Sequence, residues 1–206
     1  MKIEPAQIVV IHDELAETSP LIISLKDEFG DENVILYKKS SVGLRYILEN
    51  ISKKTIVLLD WDLGTGEPNG TKVLEQIRDE TSLIYVIIVS ANLETIPSKD
   101  YIAFVNNDAL AITSITSDIF EKISLIKKAQ NQLNRRVDVV LEEWLSRLSP
   151  EERSKPYLTT KSGTTLTFMD ILNGIRQQNE DAMNVEHNII YAAIDLLSRG
   201  KRQLND

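Results

Sequence analysis

Short apolar runs alternate with amphipathic segments from residue 7 to about residue 116. An apolar run of a few residues between turn signals is typical of a buried parallel strand, and its alternation with helical periodicity indicates βα units. The predicted strands are 7–12, 34–37, 55–59, 84–89 and 102–105, and the predicted helices are about 17–29, 41–51 and 69–79. The connection 92–100 contains Pro97, so we expect at most a stub of helix there. The pattern predicts a five-stranded parallel α/β sheet flanked by helices.

A different pattern begins near Ser117. Residues at alternating spacings of four and three form a stripe that is mostly apolar: Ile119, Ile123, Ile126, Gln130, Leu133, Val137, Val140, Trp144 and either Arg147 or Leu148. Because no proline or glycine interrupts it before Pro150, we predict one helix of about thirty residues, long enough to project beyond the sheet. Its stripe fits either a coiled-coil homodimer through residues 119–148 or a cover formed by the chain's own C-terminal segment.

The remaining residues, 149–206, predict a small helical module. The predicted elements are a hairpin over 158–166 turning at Ser162–Gly163, a helix over 168–179 capped by Thr167 and Asp170, and a helix over 184–198 stopped by Gly200 and Lys201–Arg202. We expect the apolar residues of these helices to pack on each other or on the long helix. The predicted domains are 1–128, with its last helix continuing to about 148, and 149–206.

The amino-acid composition and the charge exclude several classes of function. With no cysteine and two histidines, the chain has no disulfide framework and almost no means to build a structural zinc site. It shows neither a secretion signal nor a long apolar stretch, so we expect a cytoplasmic protein without membrane contact. The net charge is −8, and the excess acid lies in residues 1–116. Lys127–Lys128 and Arg135–Arg136 suit a solvated helix face, so we expect no nucleic-acid partner.

Polar residues follow three predicted strands: His12–Asp13 after the first, Asp60 after the third and Ser90 after the fourth. In an open α/β sheet, ligands bind outside the carboxyl ends of the strands. Two carboxylates there repel each other unless a divalent cation or a shared proton relieves them. The alternative is structural: His12 as a tolerated polar substitution and Ser90 as a residue that bonds local backbone.

This order of strand-end residues, over about residues 6–128, resembles the receiver domain of two-component response regulators. The resemblance implies a flavodoxin-like sheet of order 2-1-3-4-5. It also implies that Asp13 and Asp60 hold Mg²⁺, with His12 in place of the first acid of the family's pair. Asp60 would be the phosphoacceptor and Ser90 the hydroxyl that follows the phosphoryl group.

Two further positions carry the resemblance, and they also limit it. Phe104 would be the aromatic switch residue, and Asn107 stands where the family has the lysine that neutralises the phosphoryl oxygens. A neutral amide cannot supply that charge, and His12 removes a carboxylate from the metal site and weakens Mg²⁺ binding. The chain therefore resembles a degenerate receiver, or pseudo-receiver.

The resulting hypothesis is a signalling and protein-interaction module without enzymatic activity. It would be phosphorylation-independent or weakly phosphorylated at Asp60, and would relay or scaffold through the long helix and the C-terminal helices to a sensor kinase or an effector.

One alternative is a conventional phosphorylated regulator with a DNA-binding or other output. Against a DNA-binding output, the 168–179 helix offers one basic residue, Arg176, and the 184–198 helix none. Another is a haloacid dehalogenase-like phosphatase using Asp60 and Asp62, although Gly64 departs from that family's motif.

Overall fold

The computed structural model describes residues 5–91, 93–160 and 163–199. The chain divides into two compact units, of which the first ends at Arg135 and the second begins at Arg136. The predicted domains, 1–128 and 149–206, stay predictions about which parts fold independently. The predicted turn at Ser162 and the predicted helix stop at 200–202 lie outside the described residues. Among the described helices, none combines the length and the apolar character needed to cross a membrane.

The first unit alternates strands and helices along its whole length. Its elements are β1 (Gln7–Ile11), α1 (Pro20–Phe29), β2 (Val34–Tyr37), α2 (Ser40–Glu49), β3 (Thr55–Asp60), α3 (Gly70–Glu80), β4 (Tyr85–Ser90), α4 (Ser98–Asn106), β5 (Ala111–Ser114) and α5 (Ile119–Leu133). The five strands are parallel and stand in the order β2-β1-β3-β4-β5, as the resemblance implied. The first four predicted strands and the first three predicted helices are confirmed within a few residues.

Two apolar layers enclose the sheet, because successive side chains of a strand point to opposite faces. On one face Val57 and Leu59 share a core with residues of α2, α3 and α4. On the other face Ile56 and Leu58 share a core with residues of α1 and α5. Burial on both faces explains why these strands are continuous apolar runs rather than alternating ones.

The prediction of a strand at 102–105 is wrong, because these residues lie in the middle of α4. The fifth strand is Ala111–Ser114, whose residues Ile112 and Ser114 pair with Ile88 and Ser90 of β4. Asp100 and Phe104 are buried one helical turn apart, whereas Ile102 and Val105 are exposed. The apolar run that suggested a strand therefore covers two sides of a helix.

The expectation of at most a stub of helix after β4 is also wrong. Helix α4 has nine residues and begins at Ser98, directly after Pro97. Proline is tolerated at the start of a helix, where its missing N–H costs no helical hydrogen bond. The buried Asp100 carboxylate accepts a 3.0 Å hydrogen bond from the hydroxyl of Thr71 in α3 and so fixes the first turn of α4.

The predicted continuous helix is interrupted. Helix α5 ends at Leu133 and α6 begins at Val137, with Arg136 in an extended conformation between them. The guanidinium of Arg136 pairs with Asp138 in the first turn of α6, at 2.9 Å, and an acidic residue is favourable at that end of a helix. Sequence periodicity cannot show this local pairing, so the break was not foreseen.

The interruption also changes which side chains are buried. In α6 the buried residues are Asp138, Val139, Glu142 and Leu145. Val140 and Trp144, which the heptad spacing placed in the stripe, are exposed. The spacing thus does not form one unbroken apolar seam, and a homodimer through residues 119–148 stays a prediction.

The second unit consists of α6 (Val137–Ser146), α7 (Pro150–Arg153), β6 (Pro156–Thr159), β7 (Thr165–Thr167), α8 (Phe168–Arg176) and α9 (Glu180–Arg199). Strands β6 and β7 form the predicted antiparallel hairpin. Thr167 and Asp170 form the predicted reciprocal cap of α8. A small core contains Ile171, Ile175 and Val185.

One expectation for this unit is wrong. The apolar residues in the second half of α9 were expected to be packed, but Ile189, Ile190, Ile194 and Leu197 are exposed. Ala182 and Val185, in the first half of α9, lie in the core of the unit, beside α8. Apolar periodicity identified the helix correctly but did not show how much of it is covered.

Candidate functional site at the carboxyl edge of the sheet

The sheet topology brings the polar strand ends together. Strand β1 lies between β2 and β3, and β3 lies between β1 and β4. In register, Ile11 is beside Leu59 and Asp60 is beside Val89, so the residues that follow these positions meet at one edge. The parallel direction of the strands is the reason that three distant parts of the sequence converge here.

A cavity of about 180 Å³ opens at this edge. It is lined by His12, Asp13, Glu14, Asp60, Trp61, Asp62, Gly64, Ser90, Ala91 and Thr95. The lining therefore contains four acidic side chains. Among the described residues that form it, none is a lysine or an arginine.

His12 lies closest to the two central carboxylates. Its Nδ1 atom is 3.3 Å from Oδ2 of Asp60 and 3.6 Å from Oδ1 of Asp13. The backbone N–H of Glu14 donates to the same nitrogen at 3.3 Å. One nitrogen of His12 and one oxygen from each aspartate lie within 4.8 Å of one another, which makes these three residues a possible metal-binding group.

Burial controls the protonation of this group. Asp60 is 5% exposed, and burial raises the pKa of Asp60 to about 7, with repulsion from Asp13 and Asp62 acting in the same direction. The backbone N–H of Asp62, which donates to Oδ1 of Asp60 at 3.3 Å, opposes the rise. Burial also lowers the pKa of His12, although the charges of Asp13 and Glu14 oppose that change. The close contact between His12 and Asp60 is therefore not a permanent ion pair at neutral pH.

The loop after Asp60 is held against the site by a glycine. The N–H of Gly70 donates to the carbonyl oxygen of Trp61 at 2.9 Å. A Cβ atom at position 70 would collide with the carbonyl oxygen of Asp60. The sequence signal Asn69–Gly70, which predicted a turn into a helix, thus also marks a close backbone approach beside the site.

The structure gathers four of the six predicted site residues. His12, Asp13, Asp60 and Ser90 all line the cavity. Their roles in metal binding or phosphorylation stay predictions, because the geometry shows proximity and not chemistry.

The other two residues lie elsewhere. Phe104 is in α4 rather than on β5, and its 0% exposed side chain packs edge-on to Tyr101 in the core. Asn107 caps the end of α4 and donates from its side chain to the carbonyl oxygen of Ala103 at 2.8 Å. Both assignments depended on the misplaced fifth strand and are corrected with it.

The corrected end of β5 is Ser114, so a hydroxyl residue stands at the position where the resemblance implied a lysine. The nearest lysine along the chain after β5 is Lys122, which is buried and donates to the carbonyl and hydroxyl oxygens of Ser117 at 2.8 and 2.9 Å. It is not among the residues that line the cavity. Glu14 and Thr95 also line the cavity, although no periodic pattern in the sequence marks either of them.

The sequence matches no protein-family model and no curated protein. Solved structures give a clearer result. A response regulator receiver domain protein (CheY-like) from Methanospirillum hungatei is 20% identical, with a TM-score of 0.52, over 64% of this chain and 98% of that chain. The receiver domain of NtrX from Brucella abortus is 18% identical, with a TM-score of 0.50, over 63% of this chain and all of that chain.

The N-terminal domain of an uncharacterized protein from Wolinella succinogenes is 13% identical, with a TM-score of 0.53, over 65% of this chain and all of that domain. At these identities the likeness establishes the fold. The chain therefore has the receiver-domain fold, together with further C-terminal helices.

The receiver fold implies Mg²⁺ at this edge, so the donors present can be tested against that ion. Asp13 and Asp60 supply the carboxylate oxygens that Mg²⁺ prefers. The third donor is the imidazole nitrogen of His12, only 3.3 and 3.6 Å from those oxygens. Imidazole is a poor ligand for Mg²⁺, so the residues present do not fit this ion well.

Proposed function

We propose that this chain is an atypical receiver-like signalling and protein-interaction module, not an enzyme, that is phosphorylation-independent or weakly phosphorylated at Asp60. The single observation that carries the proposal is the charge of the cavity. Its described lining has four acids and neither lysine nor arginine. A phosphoryl group, which carries about two negative charges at neutral pH, would meet repulsion there without a compensating side chain.

The corrected fifth strand supports the same proposal. Strand β5 has the sequence Ala-Ile-Thr-Ser and contains no aromatic residue. Phe104, the expected switch residue, is fixed in the core by α4. A coupling between Ser90 and an aromatic side chain of β5 is thus not available to report phosphorylation.

A protein partner is supported by exposed apolar side chains in the first unit. Ile102 and Val105 on α4 and Phe120 at the start of α5 are largely exposed. Exposed apolar patches on helices are common at protein-binding surfaces. The partner class is a sensor kinase or an effector, and the expected relay runs to the helices of the second unit; the expected cytoplasmic location stays a prediction.

The test is phosphorylation of the full chain with acetyl phosphate, measured by intact mass and by the fluorescence of Trp61 in a Trp144→Phe background. We expect substoichiometric labelling and no saturable change in fluorescence. Asp60→Asn should remove whatever labelling occurs, and Asp79→Asn, which removes an exposed acid of α3 outside the cavity lining, should leave it unchanged.

Stoichiometric labelling that depends on Asp60 and changes the fluorescence of Trp61 would overturn the proposal in favour of a conventional regulator. Turnover of a generic phosphoester, lost in Asp60→Asn and Asp62→Asn, would overturn it in favour of a phosphatase.

A further inference from the structure

The imidazole of His12 is placed differently from an ordinary structural histidine. The side chain is 4% exposed, and its observed polar contacts are all made by Nδ1, the nitrogen that faces Asp13 and Asp60. The opposite nitrogen, Nε2, is buried and has no hydrogen-bond partner among the described residues. Burial of an unpaired polar atom is costly, and this imidazole is compensated at only one of its two nitrogens.

A second buried nitrogen without a partner belongs to another residue of the cavity lining. Among the described residues, the buried side-chain nitrogens without a partner are Nε2 of His12 and Nε1 of Trp61. Both residues line the cavity, together with the four acids. A ring N–H requires an acceptor, so neither nitrogen by itself indicates a cation; the cation is called for by the four acids, whose charge no lysine or arginine of the described lining compensates.

The spacing of the donors suits direct coordination. Nitrogen and oxygen ligands lie about 2.0 to 2.2 Å from a Zn²⁺-like ion, so two ligands at a tetrahedral angle are about 3.4 Å apart. The observed separations from Nδ1 of His12 are 3.3 Å to Asp60 and 3.6 Å to Asp13. The long hydrogen bond from the N–H of Glu14, at 3.3 Å, is the interaction that a metal ion would replace.

We propose that this cavity binds a divalent transition-metal ion of the Co²⁺, Ni²⁺ or Zn²⁺ class in preference to Mg²⁺, through Nδ1 of His12 and the carboxylates of Asp13 and Asp60. Imidazole raises affinity for these ions, which also lie above Mn²⁺ and Fe²⁺ in the usual affinity order, whereas Mg²⁺ favours oxygen donors. The three protein donors leave positions on the ion for water or another ligand. The inference uses the pocket of the proposed function but rests on its donor set, not on phosphorylation.

The test titrates the full chain with Co²⁺ alone and with Mg²⁺ alone, using the Trp144→Phe background so that Trp61 reports the cavity. Co²⁺ adds visible absorption bands that report its ligand geometry independently of fluorescence. We expect one Co²⁺ per chain, bound at least about tenfold more tightly than Mg²⁺. His12→Asp, which restores a carboxylate, should weaken Co²⁺ binding, strengthen Mg²⁺ binding and so lower or reverse the preference.

The chain supplies a matched control, because it has one other histidine and no cysteine. His187 lies in α9 beside Tyr191, in the second unit. His187→Ala should leave both affinities unchanged. If His12→Asp does not fold by circular dichroism, His12→Gln serves in its place and should lose Co²⁺ binding without gaining Mg²⁺.

Mg²⁺ binding as tight as Co²⁺ binding in the unsubstituted cavity would overturn the inference. So would binding of neither ion, or loss of Co²⁺ binding in His187→Ala with retention in His12→Asp. Tight Co²⁺ binding by a chain that is phosphorylated stoichiometrically would leave this inference standing while the proposed function failed, so the two failures are distinguishable.

Discussion

The first unit is built around a large buried apolar sheet, whereas the second has a small apolar core beside a group of buried ion pairs. In the first, residues such as Leu59 and Ile88 are fully enclosed between two layers of helices. In the second, Asp138 and Glu142 are buried in ion pairs with Arg136 and Arg176, while Ile194 and Leu197 are exposed. A parallel sheet covered on both faces leaves few ways to pack, but a few short helices and a hairpin leave many.

The two units should therefore differ in the contacts that determine their stability. Apolar burial is non-directional and grows with the area removed from water, so the first unit should be sensitive to side-chain volume. Buried ion pairs are directional, and removing one partner leaves a charge without compensation. The second unit should therefore be sensitive to the identity of single polar atoms.

The largest expected effect is at Phe104. Because its side chain is 0% exposed in the core, Phe104→Ala should lower the free energy of unfolding by about 4 kcal/mol. Urea denaturation followed by Trp61 fluorescence in a Trp144→Phe background measures the loss. The matched control is Val105→Ala. Val105 follows Phe104 in the sequence but is 73% exposed, so this substitution should change the free energy of unfolding by less than about 0.5 kcal/mol. Equal effects of the two substitutions would contradict the placement of Phe104 in the core.

The next effect is at Asp138. Its carboxylate, in a residue that is 1% exposed, pairs with Arg136 at 2.9 Å and with Arg176 at 3.1 Å. Asp138→Asn removes one ion pair from each guanidinium group, although Arg176 keeps its pair with Glu142 at 3.0 Å, and should cost about 3 kcal/mol. Trp144, which packs edge-on to Phe168 in the second unit, reports this loss in a Trp61→Phe background.

Its control is Glu143→Gln, which breaks an exposed pair with Arg147. Such a pair contributes little, so this variant should unfold within about 0.5 kcal/mol of the parent. If Asp138→Asn is equally harmless, the buried ion pairs do not hold the second unit together.

The smallest of the three effects depends on pH. The folded-state pKa of Asp60 is about 7, whereas an unfolded aspartate titrates near 4. Between about pH 4 and pH 7 the Asp60 carboxyl is therefore protonated in the folded state and ionised in the unfolded state. The Asp60 carboxyl therefore costs stability progressively as the pH rises from about 4 to about 7, and the cost is complete above that range. A shift of about three pKa units corresponds to about 4 kcal/mol, of which Asp60→Asn should recover about half, about 2 kcal/mol, at pH 8 because its buried amide still needs hydrogen-bond partners, and little at pH 4.

This effect is read as the difference between variant and parent, with a chelator present. Burial lowers the pKa of His12, so unfolded His12 takes up its proton before folded His12 does. His12 thus destabilises the fold as the pH falls below about 6.5, in both proteins. A difference between variant and parent that stays constant from pH 4 to pH 8 would refute the raised pKa of Asp60.

Sequence periodicity predicted the parts of the fold where the pattern has one interpretation. Residues 8–11 of β1, 56–59 of β3 and 86–89 of β4 are all apolar because both faces of these strands are buried, and the polar residues that follow could then be placed at one edge. Strand β5 is short and half-buried at its ends, so the stronger apolar run in α4 was taken for it. Phe104 and Asn107 were misassigned for that single reason.

Two further features that apolar periodicity does not predict involve hydrogen bonds and ion pairs of charged side chains. The break before Val137 has no proline or glycine, and Arg136 pairs there with Asp138. Lys122 is in the first turn of α5, where a solvated lysine is normal, yet it is buried against Ser117. In both cases a charged side chain has a specific hydrogen-bond or ion-pair partner, and the sequence alone does not show which residues pair.

The interruption between α5 and α6 has a mechanical consequence. The N–H of Asn134 still donates to the carbonyl of Gln130, and the next such bond four residues back joins Val140 to Arg136. An unbroken helix resists twisting because every turn is tied to the next by these bonds. The N–H groups of the described residues Arg135 and Arg136 form no such bond, so the ladder of α5 does not continue into α6. We therefore expect that a signal leaving the first unit along the chain is not passed on as the rotation of one continuous helix.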